Sequence, residues 1–335
     1  MSYGKLSVDA LRKSVLSYSG ATRPEILVGA EFGEDSAALK FDDEIMVVSA
    51  DPITGADSHA GRLAVIVSAN DIVANGAEPV AILLTLLMPE TADETDVELI
   101  MQDADRAAKE LNIEIIGGHT EFTAAVNKPI VCATTIGKTK RLIKSSDVLC
   151  GNDVVLTKGA GIEGTAILFA DFPEELKQWF SPEEFAAALA FSGQLSIAPE
   201  GRIALEHRVT AMHDVTEGGV LGAVYEMSEA GNFGVKLFAE QIPVAAVTKR
   251  LCEQLSIDPL RLISSGSLLI AVDNGGLLVE ALLKNGISAA VIGRITQEPR
   301  KIIIRDGVET DIAKPVGDEL WPAIARLKSL RGAGV

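Results

Sequence analysis

The chain has few basic residues for its length. Its 335 residues include 30 Lys and Arg against 47 Asp and Glu, which gives a formal charge of −17. Non-specific binding to nucleic acid requires a basic surface, and so does attraction to an anionic membrane. The charge balance therefore disfavours both kinds of partner. Aromatic residues are scarce at 4%, whereas 47% of residues are hydrophobic, so we expect aliphatic cores in about two domains.

Cysteine is scarce as well. Cys132, Cys150 and Cys252 lie far apart and form no CxxC pair, so neither a disulfide framework nor a structural zinc site is expected. The N-terminal stretch MSYGKLSVDA contains no apolar signal core. No run approaches the ~18 apolar residues of a membrane-spanning helix. We therefore expect a soluble, cytoplasmic protein.

The motifs of several common enzyme classes are also missing. No GxxxxGKS/T sequence occurs, which excludes a P-loop NTPase by motif, and neither GxSxG nor HExxH is present. Gly159–Gly164 matches GxGxxG after a predicted strand, but the acidic strand end expected about 20 residues later is absent. A dinucleotide-dependent oxidoreductase is therefore disfavoured, while a glycine turn that contacts phosphate stays open.

The most informative stretch that is present is Gly61–Gly76, GRLAVIVSANDIVANG. Most of its residues are Leu, Ala, Val or Ile, which is typical of a helix buried on nearly every side, and Gly76 suits a helix stop. Ser68, Asp71 and Asn75 are spaced so that they lie on one stripe. A carboxylate on such a helix is costly unless it is hydrogen-bonded, paired or bound to a metal. Asp71 is therefore predicted to have a partner elsewhere in the chain.

The remaining pattern predicts an α/β protein with two domains, residues 1–150 and 151–335. In the first domain, residues 36–41 and 44–49 predict a hairpin, with Asp51 closing its second strand. The other predicted elements include strands at 79–88, 113–116 and 153–157, and helices at 94–111, 172–191 and 318–330.

Three acidic residues of the first domain form a candidate metal site. Asp35 opens a predicted strand after a glycine loop, Asp51 closes one, and Asp71 lies on the apolar helix. Three carboxylates with Ser and Asn nearby suit Mg²⁺, which prefers oxygen ligands and retains water or phosphate oxygens. Caps and turns are the alternative for Asp35 and Asp51, and the spacing leaves it open.

Two glycine-containing motifs are candidate phosphate contacts. Gly117-Gly118-His119-Thr120 follows an apolar strand, where paired glycines allow close approach of a ligand or simply a tight turn. Asp214–Gly219 precedes a predicted helix that Thr216 can cap, and the N-terminus of that helix favours an anion. A capped helix with a solvated Asp214 is the alternative.

Together these residues resemble the AIR synthetase (PurM)-like superfamily, and within it the hydrogenase-maturation HypE proteins. The resemblance covers nearly the whole chain, and its most specific part is the string from Asn70-Asp71 to Gly76-Ala77-Glu78-Pro79. It also rests on the segments Gly33–Ala38, Ser49–Asp51, Gly117–Thr120, Asp214–Gly219 and Ile257–Leu268.

The resemblance implies a two-domain α/β fold with mixed sheets, in which the N-terminal domains pair into a homodimer. It also implies ATP and Mg²⁺ as cofactors, with ATP in a cleft between the domains. Carried over by motif, the metal ligands are Asp35, Asp51 and Asp71; the nucleotide contacts are Gly33, Asn70, Gly117, Gly118 and Thr120; and the catalytic residues are Asp214, Glu217 and His119.

One departure concerns the last residues, Arg331–Val335, which lack the terminal cysteine of HypE proteins. The implied chemistry is ATP-dependent phosphorylation, or activation with dehydration, of an oxygen on a small-molecule or protein-bound substrate. The alternative is a non-catalytic ATP-binding protein that serves as a maturation or scaffold partner. The residues do not identify the acceptor.

Overall fold

The structure is a computed structural model that describes residues 4–5, 8–28, 38–39, 43–54, 59–315 and 317–333. Two compact units are present, one made of Met1–Val73 and Ala77–Leu142, the other of Ala74–Gly76 and Ile143–Val335. Each combines a mixed sheet with helices, so the predicted α/β class is confirmed. No described helix is long and apolar enough to cross a membrane.

Unit 1 is built on a sheet with the strand order β1-β6-β5-β7-β4, beside a separate β2–β3 pair. Its strands are β1 Gly4–Lys5, β2 Ile26–Val28, β3 Ala38–Leu39, β4 Ile45–Ile53, β5 Glu78–Met88, β6 Glu114–Phe122 and β7 Ile130–Thr139. Its helices are α1 Val8–Ser14, α2 Ala60–Ala74 and α3 Glu94–Leu111.

The strong local sequence patterns of unit 1 predict strand β5 and helices α2 and α3 correctly. The apolar run at 79–88 forms β5 at the centre of the sheet, and the helix predicted at 94–111 is α3. Asp93 caps α3 by accepting from the backbone of Thr95 and Asp96. The helix predicted over Gly61–Gly76 is α2, which ends at Ala74.

Two predictions for β4 are wrong. The described parts of the predicted hairpin, residues 38–39 and 44–49, do not pair with each other, because β3 pairs with β2 and β4 pairs along its whole length with β7. Asp51 does not close a strand either, since β4 continues through it to Ile53. The longer antiparallel partner supplied by β7 outweighs the local turn.

Helix α2 packs against the face of the sheet to which Gly137 of β7 belongs. A Cβ atom on Gly137 would lie 2.2 Å from Cγ2 of Ile72, and one on Gly61 would lie 2.0 Å from the carbonyl oxygen of Ile100 in α3. The two glycines therefore allow α2 to approach both the sheet and α3. This packing brings the polar stripe of α2 to the sheet.

Unit 2 has a sheet with the order β14-β13-β10-β12-β8-β11-β9. Its strands are β8 Asp153–Thr157, β9 Val209–Asp214, β10 Gly234–Phe238, β11 Leu268–Val272, β12 Ala289–Thr296, β13 Lys301–Arg305 and β14 Val308–Asp311. Its helices are α4 Ile162–Asp171, α5 Pro173–Leu176, α6 Pro182–Leu189, α7 Ala198–Leu205, α8 Gly219–Ala230, α9 Ala246–Leu255, α10 Gly275–Lys284 and α11 Leu320–Ala333.

The segment 172–191 is not one helix. Pro173 and Pro182 each begin a separate short helix, as expected for a residue that lacks an N–H and is favoured in the first turn. The sequence also gave no indication of β14, whose four residues are all exposed and therefore show no apolar alternation.

Candidate functional site

In unit 1, two of the three predicted metal ligands share a hydrogen-bond partner. The hydroxyl of Ser49 on β4 contacts Oδ2 of Asp51 at 3.2 Å and forms a short hydrogen bond with Oδ2 of Asp71 on α2. Both carboxylates are half-buried. One hydroxyl proton cannot neutralise two carboxylates, so this pair concentrates negative charge and oxygen lone pairs at one place.

The other residues that the sequence predicts for the metal and nucleotide site of unit 1, and the neighbouring Ser68, have different surroundings. Asn70 is buried on α2, and Ser68 is fully buried with no hydrogen-bond partner for its hydroxyl among the described residues. Gly33 and Asp35 lie outside the described residues. Within the described ranges, no group of three or more His, Cys, Asp and Glu side chains is placed to hold a metal. The described part therefore supplies a two-carboxylate site.

Gly117 and Gly118 do not form a turn at a strand end, as the sequence suggested. They lie inside β6, which continues to Phe122, and their φ angles are +146° and +145°. A Cβ atom on Gly118 would lie 1.8 Å from the carbonyl oxygen of Leu84. Glycine is therefore required at 118 because the backbone of β5 approaches it closely, whereas at Gly117 only the Leu83 side chain is near.

The strand register separates His119 from the carboxylate pair. Across the sheet, His119 of β6 pairs with Thr85 of β5, and Thr85 pairs with Cys132 of β7. On β4, the residue that pairs with Cys132 is Pro52, whereas its neighbour Asp51 pairs with Ala133. Directly paired residues project from the same face and successive residues from opposite faces. His119 therefore lies on the sheet face opposite Asp51. Its Nε2 is 3.3 Å from Oε2 of Glu121.

Thr120 follows the same alternation. It is buried, whereas His119 before it is exposed. The four residues Gly117–Thr120 thus belong to a continuous strand and do not form the anion-binding turn that was one prediction.

In unit 2, the start of α8 is capped differently from the prediction. Helix α8 begins at Gly219 with Gly218 as its N-cap, so Thr216 does not cap it. The N–H of Gly218 instead donates to Oδ2 of Asp318 at 2.7 Å, and Oδ1 of Asp318 accepts from Ile263 and Leu320. Asp318 is buried, and desolvation raises its pKa although these three N–H donors lower it.

Asp318 was missed by sequence reasoning. Two of its three donors lie 55 and 100 residues away, so spacing along the chain does not reveal them. The available signal was its position just before α11, where Asp is a favoured cap. Of the predicted residues nearby, Asp214 ends β9 and is buried, whereas Glu217 is exposed.

Glu163 is a second buried acid that the sequence did not single out. It lies in the first turn of α4, and its Oε2 accepts from the N–H of Ser265 at 3.2 Å. Burial raises the pKa of Glu163 to about 7, and the negative charges of Asp318 and Asp214 act in the same direction. A carboxyl group in this position exchanges its proton near neutral pH.

Lys158 and Glu200 form a buried ion pair in the same unit. Nζ of Lys158 is 2.7 Å from Oε1 of Glu200 and also donates to the carbonyl oxygens of Gln194, Ser196 and Gly266. Glu200 is 1% exposed. Desolvation lowers the pKa of Lys158, and the negative charge of Glu200 partly opposes this shift by raising the pKa. The ammonium group joins three segments that are distant in sequence.

The GxGxxG segment also has a packing explanation. A Cβ atom on Gly164 would lie 2.5 Å from Cγ of Leu262, and one on Gly159 would lie 2.8 Å from the carbonyl oxygen of Pro243. The hydroxyls of Ser264 and Ser267 donate to the carbonyl of Gly159 at 3.0 and 2.6 Å. These glycines therefore allow close contact between neighbouring segments.

Two family models match the chain. AIR synthase related protein, N-terminal domain, matches residues 33–139, and AIR synthase related protein, C-terminal domain, matches residues 150–306. The chain therefore belongs to the AIR synthase-related family, and the resemblance inferred from its motifs is confirmed.

Similar proteins include members with different activities. A Methanocaldococcus jannaschii protein described as a hydrogenase expression/formation protein is 28% identical, covering 95% of this chain and 96% of that protein. Carbamoyl dehydratase HypE of Escherichia coli is 27% identical, covering 80% of this chain and 79% of HypE. A selenide, water dikinase of Treponema denticola is 26% identical, covering 72% and 67%.

Solved structures share the fold. E. coli HypE, a hydrogenase maturation protein, superimposes with a TM-score of 0.77 at 21% identity and covers 90% of this chain and 96% of its own. A HypE in complex with ATP gives a TM-score of 0.78 at 18% identity, covering 96% and 97%. At these identities the superpositions establish the two-domain fold.

Proposed function

We propose that this protein binds ATP together with Mg²⁺ and uses it to phosphorylate or activate an oxygen atom of a small-molecule or protein-bound acceptor. The observation that carries the proposal is the convergence of Asp51 and Asp71 on one hydroxyl of Ser49. Family membership supports it, because relatives include a carbamoyl dehydratase and a water dikinase.

The donor set fits Mg²⁺. Carboxylate oxygens are the ligands this ion prefers, and one or two protein carboxylates plus phosphate oxygens and water complete its usual shell. When bound, the ion would neutralise charge on the transferred phosphoryl group. Asp51 and Asp71 would hold it, Ser49 would orient the carboxylates, and Asp35 remains the predicted third ligand.

The other site assignments belong to the same proposal. Asn70, Gly117, Gly118, Thr120 and Gly33 are the proposed nucleotide contacts. Asp214, Glu217 and His119 are the proposed catalytic residues. Of these residues, His119 lies on the sheet face opposite Asp51 and therefore does not share a face with the carboxylate pair.

We also propose that unit 1 pairs with a second copy of the chain to form a homodimer. On β4, Met46 and Val48 are 54% and 52% exposed, and this strand is at an edge of the sheet among the described strands. Exposed apolar residues on an edge strand favour pairing with another chain. The cytoplasmic location expected from the sequence is part of the proposal.

The function is tested in two measurements on the full chain. Isothermal titration calorimetry with Mg·ATP should show saturable binding that EDTA abolishes, and ADP release should be stimulated by a member of a panel of hydroxyl- and carboxamide-bearing acceptors. Absence of Mg·ATP binding would overturn the proposal. Binding without ADP release against every acceptor would identify the non-catalytic alternative.

A further inference from the structure

Unit 2 contains a recess of about 390 Å³ that none of the predicted site residues lines. It is bounded by the β13–β14 hairpin, the first turn of α8 and the 3₁₀ turn Pro259–Arg261. Leu221, Ile303 and Ile312 contribute apolar side chains to its lining, and all three are buried members of the unit 2 core. One wall of the recess is therefore apolar and is formed by residues of the unit 2 core.

Three of the six polar side chains that line this recess have hydrogen-bond partners. Asp258 accepts from the N–H of Leu260 at 3.0 Å, and Asp311 accepts from Nε of Arg300 at 2.7 Å. The hydroxyl of Thr310 donates to the carbonyl oxygen of Ile303 at 3.4 Å. These groups have structural partners.

Arg261 and Arg305 differ from them. Both line the recess, and among the described residues neither guanidinium group makes a side-chain hydrogen bond or a close ion pair, although the charge of Arg305 contributes to lowering the pKa of Glu240. In a chain with 47 acidic and 30 basic side chains, acidic partners are abundant. Two guanidinium groups whose N–H donors have no hydrogen-bond acceptor among the described residues, beside an apolar wall, suit an anionic ligand, because guanidinium matches the geometry of carboxylate and phosphate.

We propose that this recess binds a small organic anion, in which a phosphate or carboxylate group contacts Arg261 and Arg305 and an apolar body packs on Leu221, Ile303 and Ile312. The carboxylates of Asp258, Asp306 and Asp311 in the same lining oppose the anion by charge and limit its affinity. The proposal does not depend on ATP binding by unit 1.

The test uses phenyl phosphate, benzoate and phenol as probes, titrated into the full-length protein by ligand-observed NMR. Phenyl phosphate and benzoate should bind, and phenol should bind at least about tenfold more weakly, the change produced by ~1.4 kcal/mol. Arg261→Ala and Arg305→Ala should each weaken binding of both anions about tenfold. The matched control is Arg294→Ala, since Arg294 pairs with Asp153 outside the recess and its loss should leave the affinities unchanged.

Asp306→Asn provides an opposite change that misfolding cannot imitate, because it should strengthen binding of both anions. Asp71→Asn should leave phenyl phosphate binding intact, which distinguishes this recess from a nucleotide site in unit 1. The proposal is overturned if no anion binds at millimolar concentration, if phenol binds as well as the anions, or if the two arginine variants bind like the wild type.

Discussion

The acidic groups of the two units differ in what surrounds them. In unit 1, Asp51 and Asp71 are half-buried and share the hydroxyl of Ser49. In unit 2, Asp318 and Glu163 are buried and accept from backbone N–H groups. A carboxylate that receives several N–H donors holds segments together, whereas the single hydroxyl proton of Ser49 cannot satisfy the acceptor capacity of both Asp51 and Asp71.

This difference distinguishes the carboxylate proposed to bind a ligand from a structural one, although the two have similar sequence surroundings. Asp71 and Asp318 both lie beside apolar segments, and each would be costly if left unpartnered. The contact with Ser49 supports the proposal that Asp71 belongs to the metal site, whereas the three N–H donors place Asp318 in the framework of unit 2. The comparison predicts that removal of charge affects ligand binding in unit 1 and stability in unit 2.

The largest expected effect on stability is at Lys158. Lys158→Ala leaves Glu200 buried without a counter-charge, so the free energy of unfolding should fall by about 3–5 kcal/mol. Chemical denaturation measures this change. Lys236→Ala is the matched control, because the exposed Lys236–Glu309 pair should contribute at most about 1 kcal/mol. Equal effects of the two variants would show that the buried pair has no special role.

Glu163→Gln should remove a fall in the free energy of unfolding that the wild type shows as pH rises. The pKa of Glu163 is about 7 in the folded protein and 4.5 ordinarily, so the folded state binds the extra proton between these values. The free energy of unfolding of the wild type therefore falls as pH rises through this window, by up to about 3 kcal/mol relative to the variant.

Denaturation of wild type and Glu163→Gln from pH 4 to pH 8 tests this linkage. The stability advantage of the variant should grow with pH and level off above about pH 7. The exposed Glu174→Gln should show no such trend. A difference between wild type and Glu163→Gln that does not vary with pH would contradict the assignment.

Asp318→Asn should destabilise unit 2 by about 1–3 kcal/mol, because an amide cannot accept from the N–H groups on both of its former oxygens. The exposed Asp273→Asn is its control. Thermal unfolding measures both variants, and Mg·ATP calorimetry on folded Asp318→Asn should give the wild-type affinity. A loss of affinity without destabilisation would reverse the roles assigned to the two units.

The smallest expected effect is at Ser49. Ser49→Ala removes the half-buried hydroxyl that donates to both Asp51 and Asp71, which should cost about 1 kcal/mol or less. Denaturation measures this cost. A larger loss would show that the hydroxyl holds β4 and α2 together and that its contact with the carboxylates is chiefly structural.

The sequence predicted the elements whose signals are local. The apolar run of β5 and the helical periodicity of α3 matched the structure closely, and Asp71 stood out because its helix is so apolar. Contacts between distant segments could not be predicted. The pairing of β4 with β7, the contact of Ser49 with Asp71 and the donors to Asp318 all depend on how elements pack in three dimensions.

The glycines show the same limit. The pair Gly117-Gly118 suits a turn, a ligand contact or a close approach between strands. At Gly118 the position of the Leu84 carbonyl oxygen shows that the close approach is the reason for glycine. Lys158 offered no sequence signal, because its four acceptors belong to residues at least 36 positions away.

We have proposed that Asp71 belongs to a Mg·ATP site. It is tested most directly by calorimetric titration of Mg·ATP into wild type and Asp71→Asn, with denaturation of the same samples and with Asp103→Asn as the unit 1 control. We expect Asp71→Asn to weaken Mg·ATP binding about tenfold or more while the free energy of unfolding changes by less than about 1 kcal/mol. Wild-type affinity in Asp71→Asn, or a loss of stability as large as the loss of binding energy, would contradict it.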